Sequence, residues 1–152
     1  MRSPVSRGLF ASLLVVSALG CGDPFFGLAG GRLAGDVVEV PPSWVLYNDT
    51  DTVQLETRPA DPYSVNVWGV GTSAGYFVAA GAGLEAVWAQ QVTADPRVRL
   101  RVADSVYELR AVRVDSWIDR RRYKAMATQK YDDFNSAFED FDAAVLFRLE
   151  PR

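Results

Sequence analysis

Arg58, Ser64 and Asn66 are the residues of this sequence best suited to hold a small ligand. Arginine presents a planar fork of donors that fits phosphate or carboxylate, and Ser64 and Asn66, two apart in an alternating run, leave one strand on the same side. A ligand held there is expected to be anionic. Chemistry by the protein's own side chains is narrowly limited. The chain has no histidine, which removes Ser-His-Asp and Cys-His catalysis and every histidine-built metal site, and no metal is expected. Cys21 is the single cysteine, so internal disulfides are excluded and packing alone must hold the folded part.

The elements that would position these residues are short strands. Thr52 to Thr57 alternates, with Val53 and Leu55 inward and Gln54 and Glu56 outward. Arg58 opens a stiff connection containing Pro59 and Pro62. Tyr63 to Val70 follows as a strand in which Tyr63, Val65, Val67 and Gly69 share one face and Ser64, Asn66, Trp68 and Val70 the other. Gly71 to Gly75 turns the chain, and Tyr76 to Ala80 returns antiparallel. Upstream, Arg32 to Val40 reads as a short first strand stopped by Pro41-Pro42, before an apolar knot from Trp44 to Tyr47.

The stretch from Gly83 to Val114 encodes a helix, a stop and a hairpin. Leu84, Val87, Trp88 and Val92 recur at helical spacing, and Asp95-Pro96 cannot continue a helix. From Arg97 the period changes to two, with Val98, Leu100 and Val102 facing the core. A two-residue turn at Asp104-Ser105 would set Leu100 opposite Leu109, Arg101 opposite Glu108 and Arg99 opposite Arg110. That last pair repels unless a carboxylate from Glu139, Asp140 or Asp142, or from a partner subunit, sits beside it, or unless both side chains splay into water. Past Ala111 the apolar positions shift, which implies a bend and the curvature of a barrel.

Asp115 or Ser116 caps a second helix that runs through Ile118, Arg122, Ala125 and Met126 to about Lys130. Its run Arg120-Arg121-Arg122 with Lys124 is either a solvated face or a contact for anionic lipid or ligand. Asp132 to Asp142 mixes acids with phenylalanines and reads as a loop or short helix. Ala143 to Leu149 closes the chain as a buried strand.

The first twenty residues read as an export signal: Arg2 and Arg7, an apolar run from Leu9 to Leu19, and then Ala18-Leu19-Gly20-Cys21. This ending resembles the bacterial lipobox, which implies a lipid-modified Cys21 that anchors the chain to a membrane. With Gly22 after the cysteine, the resemblance implies an outer-membrane lipoprotein of the bacterial cell envelope facing the periplasm. The expected division is a signal peptide over 1–20, the lipidated cysteine and a tether over 21–31, and one domain over 32–152. The net charge is −3 and becomes more negative without Arg2 and Arg7, so nucleic acid is not an expected partner.

The order of strands, helix, Asp95-Pro96, hairpin, helix and final strand resembles the split β-barrel of the pyridoxamine-phosphate-oxidase-like and deazaflavin-dependent reductase superfamily. The most specific match is Trp88-Ala89-Gln90-Gln91, then Asp95-Pro96, Val98 to Val102 and Val106-Tyr107-Glu108. The fold class expected is mainly β with two helices (α+β), as one antiparallel split barrel. Two functions follow from the resemblance. In one, a flavin- or deazaflavin-dependent oxidoreductase binds FMN or a deazaflavin, with Arg58, Ser64 and Asn66 on phosphate or ribityl oxygens and Trp68 and Trp88 walling the ring. In the other, which is the reading preferred from the sequence, the barrel is a ligand- or protein-binding module without catalysis of its own. The resemblance also implies a homodimer, since members of this superfamily place their cofactor sites between paired barrels.

Overall fold

The computed structural model of the chain describes residues 23–24 and 28–152; the expected signal, Cys21 and Phe25-Phe26 lie outside those residues. Its elements, in chain order, are β1 (Asp36–Val37), β2 (Thr52–Thr57), β3 (Tyr63–Thr72), β4 (Gly75–Ala80), α1 (Val87–Ala94), β5 (Arg97–Val102), β6 (Ser105–Arg113), α2 (Trp117–Lys130), α3 (Phe134–Ala137) and β7 (Val145–Pro151). Six strands pair antiparallel in the order β6-β5-β2-β3-β4-β7, and β7 returns to β6, so the sheet closes on itself. This is the expected mainly-β antiparallel barrel. Each of the six strands is paired on both sides over part of its length, β3 meeting β4 only from Gly69 to Thr72, and β1 adds to β6 as a short parallel strand.

Period-two alternation explains the inner core. Val53 and Leu55 of β2, Val67 of β3, Val98, Leu100 and Val102 of β5, Leu109 of β6 and Phe147 of β7 all turn inward and are buried. Trp44 plugs the barrel, its ring meeting Tyr107 at 4.7 Å and Tyr76 at 5.4 Å in edge-on packing. The chain can cross there because Gly71 has no side chain: a Cβ would overlap the Trp44 carbonyl. Asn48 completes the junction as a side-chain imitation of a strand, accepting from Gly71 N at 2.8 Å and donating to Gly71 O at 2.9 Å.

A second core lies outside the barrel, where α2 and α3 cover β3, β4 and β7. Val70, Phe77 and Leu146 meet Tyr123, Ala127, Tyr131, Phe134 and Phe141. The helix α2 has the expected span and its Ser116 cap, with Ser116 Oγ accepting from Asp119 N. It buries Tyr123 and Ala127, whereas Ile118 is exposed. The helix α1 begins at Val87, three residues later than the apolar spacing from Leu84 suggests, because Gly83–Glu85 winds as a 3-10 turn. It ends at Asp95 as expected.

The hairpin register departs from expectation by two residues. The turn is Ala103-Asp104, with Ala103 at φ 50°, so Leu100 faces Tyr107 and Arg99 faces Glu108 rather than Arg110. An even shift keeps every apolar residue inward, so hydrophobicity cannot choose between the two registers. Charge does choose. The arginines that still face each other, Arg97 and Arg110, sit at the open end, where Asp95 holds Arg97 at 2.6 Å and Glu150 of β7 stands across from Arg110. β6 pairs with β5 as far as Arg110 and with β7 from Leu109 to Arg113, in unbroken register through Ala111 and Val112.

Candidate functional site

The outer wall of the barrel is unusually polar. Register places Ser64, Glu56, Arg99 and Glu108 in one row across β3, β2, β5 and β6, and Asn66, Gln54, Arg101 and Val106 in the next. The N-terminal segment lies over both rows. Leu33 N donates to Glu56 Oε2 at 2.7 Å, and Arg99 Nη1 reaches the same carboxylate at 2.9 Å and the Leu33 carbonyl at 3.2 Å. Arg101 holds both ends of the segment, through Asp23 at 2.7 Å and the Ala34 carbonyl at 3.0 Å, and also donates to Gln54. Gly30 pairs with Ser64 as an isolated antiparallel bridge, and Val38 N donates to the Val106 carbonyl. The first strand expected over Arg32 to Val40 is therefore a strap fastened mainly by side chains, with only Asp36–Val37 in strand pairing.

This strap identifies the acid beside Arg99. It is Glu56, 2% exposed and on the neighbouring strand, and not Glu139, Asp140 or Asp142. Two buried polar atoms beneath the strap, Ser64 Oγ and Arg99 Nε, have no partner among the described residues. The arginines of this wall are thus neutralised and covered, and they offer no open anion site.

The five residues expected to hold a ligand divide into two groups. Asn66, Trp68 and Trp88 line one open groove of about 380 Å³, completed by the Gly81-Ala82 turn, Ala86 and Phe138. Trp68 is stacked on Tyr131, with centroids 4.6 Å apart and planes at 6°, which fixes its ring. Trp88 is set by the first turn of α1 and packs on Phe147 at 5.9 Å. Asn66 is exposed and donates to the Pro24 carbonyl at 3.3 Å, so the strap touches the groove's rim. Arg58 and Ser64 are not on the groove. Arg58 pairs with Asp61 at 3.2 Å and lies over the Tyr63 ring, while Ser64 is buried and its backbone is bridged to Gly30.

Chemically the groove is an aromatic slot with one amide and no ionisable side chain among its lining residues. Trp68, Phe138 and the exposed edge of Trp88, itself only 9% exposed, make the lining largely apolar. The phosphate of a flavin nucleotide finds no cation there. Proton transfer at a bound ring would need a group that the lining lacks.

A larger cleft, of about 720 Å³, lies on the helical side, between the Trp44 loop, β3 and α2, and sequence reasoning did not single it out. Lys130 sits at its base, donating to the Thr50 and Gly69 carbonyls at 2.8 and 2.9 Å. Burial lowers the Lys130 ammonium from its ordinary value, against the nearby Asp51 and Asp49. Tyr131 accepts from Gly69 N at 3.0 Å and donates to the Asp51 carbonyl at 2.7 Å. Burial pushes it up to about 12, so it remains a neutral hydroxyl. Both side chains latch the end of α2 to the barrel.

No family model and no curated protein matches this chain. Solved structures do. It is similar to HutZ, the heme storage protein from Vibrio cholerae, at 20% identity and a TM-score of 0.57, over 70% of this chain and 86% of that one. It is similar to an FAD-binding protein from Mesorhizobium loti at 17% identity and a TM-score of 0.52, over 70% and 84%. An F420-H2 dependent reductase is 16% identical with a TM-score of 0.55, over 78% of this chain and all of that one. The likeness is one of fold, and the fold is the split barrel.

Proposed function

We propose that this chain is an envelope-anchored bacterial lipoprotein whose split barrel binds a planar, uncharged ring and performs no chemistry of its own. The observation that carries the reading is the groove between Trp68 and Trp88, which has aromatic walls and no ionisable lining residue, set beside arginines already consumed by Glu56 and Asp23. Binding of ring compounds of increasing charge is its test. The structural neighbours include an FAD-binding protein and an F420-H2 dependent reductase, which supports a ring as the ligand.

Anchoring rests on Ala18-Leu19-Gly20-Cys21. Asp23, two residues after Cys21 in the sequence, is held on the barrel by Arg101. A Cys21→Ser chain is expected to move to the soluble fraction. If it stays wholly with membranes, the apolar run from Leu9 to Leu19 is a hydrophobic anchor instead.

The second reading is a flavin- or deazaflavin-dependent oxidoreductase, favoured by the two tryptophans meeting on one groove. It requires a cation for the phosphate from outside this lining, and a second copy of the chain in a homodimer is the natural source.

A further inference from the structure

The first half of α2 carries a surface that neither the barrel nor the groove uses. Trp117, Arg120, Arg121 and Lys124 fall at i, i+3, i+4 and i+7, one stripe on the outward side of a helix whose inward side buries Tyr123 and Ala127. Trp117 is 65% exposed and its neighbour Ile118 is 45% exposed. An open cavity of about 390 Å³ lies along the stripe, completed by Phe141 and Asp142.

The cations of the stripe are used unequally. Arg120 donates to the Phe141 and Ala144 carbonyls at 2.9 and 3.0 Å, so it fastens the segment before β7. Arg121 lies over the Trp117 ring at 5.6 Å and Lys124 over Phe141 at 5.7 Å. Among the described residues, no carboxylate stands at ion-pair distance from either, and Asp119 pairs with Arg122 instead. The chain as a whole is acidic, so this is a local reversal of sign.

We propose that this stripe rests on anionic lipid headgroups, with Trp117 and Ile118 entering the interfacial layer and Arg121 and Lys124 meeting the phosphates. An exposed indole beside an exposed isoleucine gains by leaving water at a polar-apolar boundary, where the indole N–H stays hydrated. The stems of Arg121 and Lys124 can lie along that boundary while their heads stay among the charges. A free anion would satisfy the cations and leave Trp117 and Ile118 in water, which favours a lipid surface. The inference does not rest on Cys21 or on the ring-binding reading.

Co-sedimentation with vesicles tests it, using the chain from Asp23 onward, which contains every strand and both cores described above. Binding is expected to vesicles containing phosphatidylglycerol and not to pure phosphatidylcholine, and to fall with added salt. Arg121→Glu with Lys124→Glu should weaken it by at least about tenfold, from the contribution of each basic residue near a charged surface. Trp117→Ser leaves the charge intact and should weaken it several-fold. Both variants change exposed side chains, and a circular dichroism melt verifies their fold. Equal binding to both vesicle types, or undiminished binding of the double variant, would overturn the proposal. So would capture by polyglutamate with no binding to vesicles, since that result assigns the stripe to an acidic protein.

Discussion

Glu56→Ala should lower the stability of the fold by about 3 kcal/mol, near the lower end of what removing one partner of a buried ion pair costs. The carboxylate is 2% exposed and accepts from Leu33 N and Arg99, with Arg32 at 3.7 Å. Its loss leaves a buried amide unpaired and removes the carboxylate at ion-pair distance from an arginine that is only 12% exposed in its side chain. Arg99 Nε has no partner among the described residues, and the Leu33 carbonyl is the other acceptor that Arg99 reaches there. Denaturant melts of Glu56→Ala, Arg99→Ala and the double variant give the coupling, and the double variant should cost clearly less than the two singles together. Protease should also cut near Ala29 to Gly31 more readily in Glu56→Ala, because Leu33 loses its main tie. A loss below about 1 kcal/mol with an uncut strap would show that the strap is held without Glu56.

Leu100→Ala should cost about 2–5 kcal/mol, the range for emptying a buried leucine site. Leu100 is fully buried, with Leu55 of β2 on one side and Tyr107 of β6 on the other in the register. Three strands of a closed barrel fix those neighbours, so the wall cannot collapse onto the space, and the upper half of the range is expected. Equilibrium unfolding in urea measures it. A cost under about 1 kcal/mol would place Leu100 outside the core.

Much of the barrel is legible in the residues because its strands obey period two and its stops are chemical. Val53 and Leu55, Val98 to Val102 and the break at Asp95-Pro96 each state their own structure. The hairpin register is not legible. The Asp104-Ser105 pair is the better turn by type, and the protein instead places Ala103 at a positive φ that its residue type does not announce. Alternation correctly puts Glu56 and Arg99 on the outer face, but a period says which way a side chain points and not what lies above it. The strap that buries Glu56 runs through residues with weak patterning.

The same limit governs the candidate site. Trp68 and Trp88 are visible in the sequence as aromatic residues on separate elements, and the groove they share exists because β3, the Gly81-Ala82 turn, α1 and Phe138 converge. Arg58 lies apart from that groove: at φ 52° in a tight connection, it pairs with Asp61 and lies over Tyr63.

The groove is tested most directly by titrating lumichrome, riboflavin and FMN into the purified chain and following tryptophan emission, with Ala82→Phe as the variant that fills the groove from an exposed position. The expected result is that all three quench, that FMN binds no more than about threefold more tightly than riboflavin because no cation meets its phosphate, and that Ala82→Phe abolishes binding of each. Contradiction would take one of two forms: no quenching by any of the three, or FMN bound more than about tenfold tighter than riboflavin, which would require a phosphate site that the groove's lining does not contain.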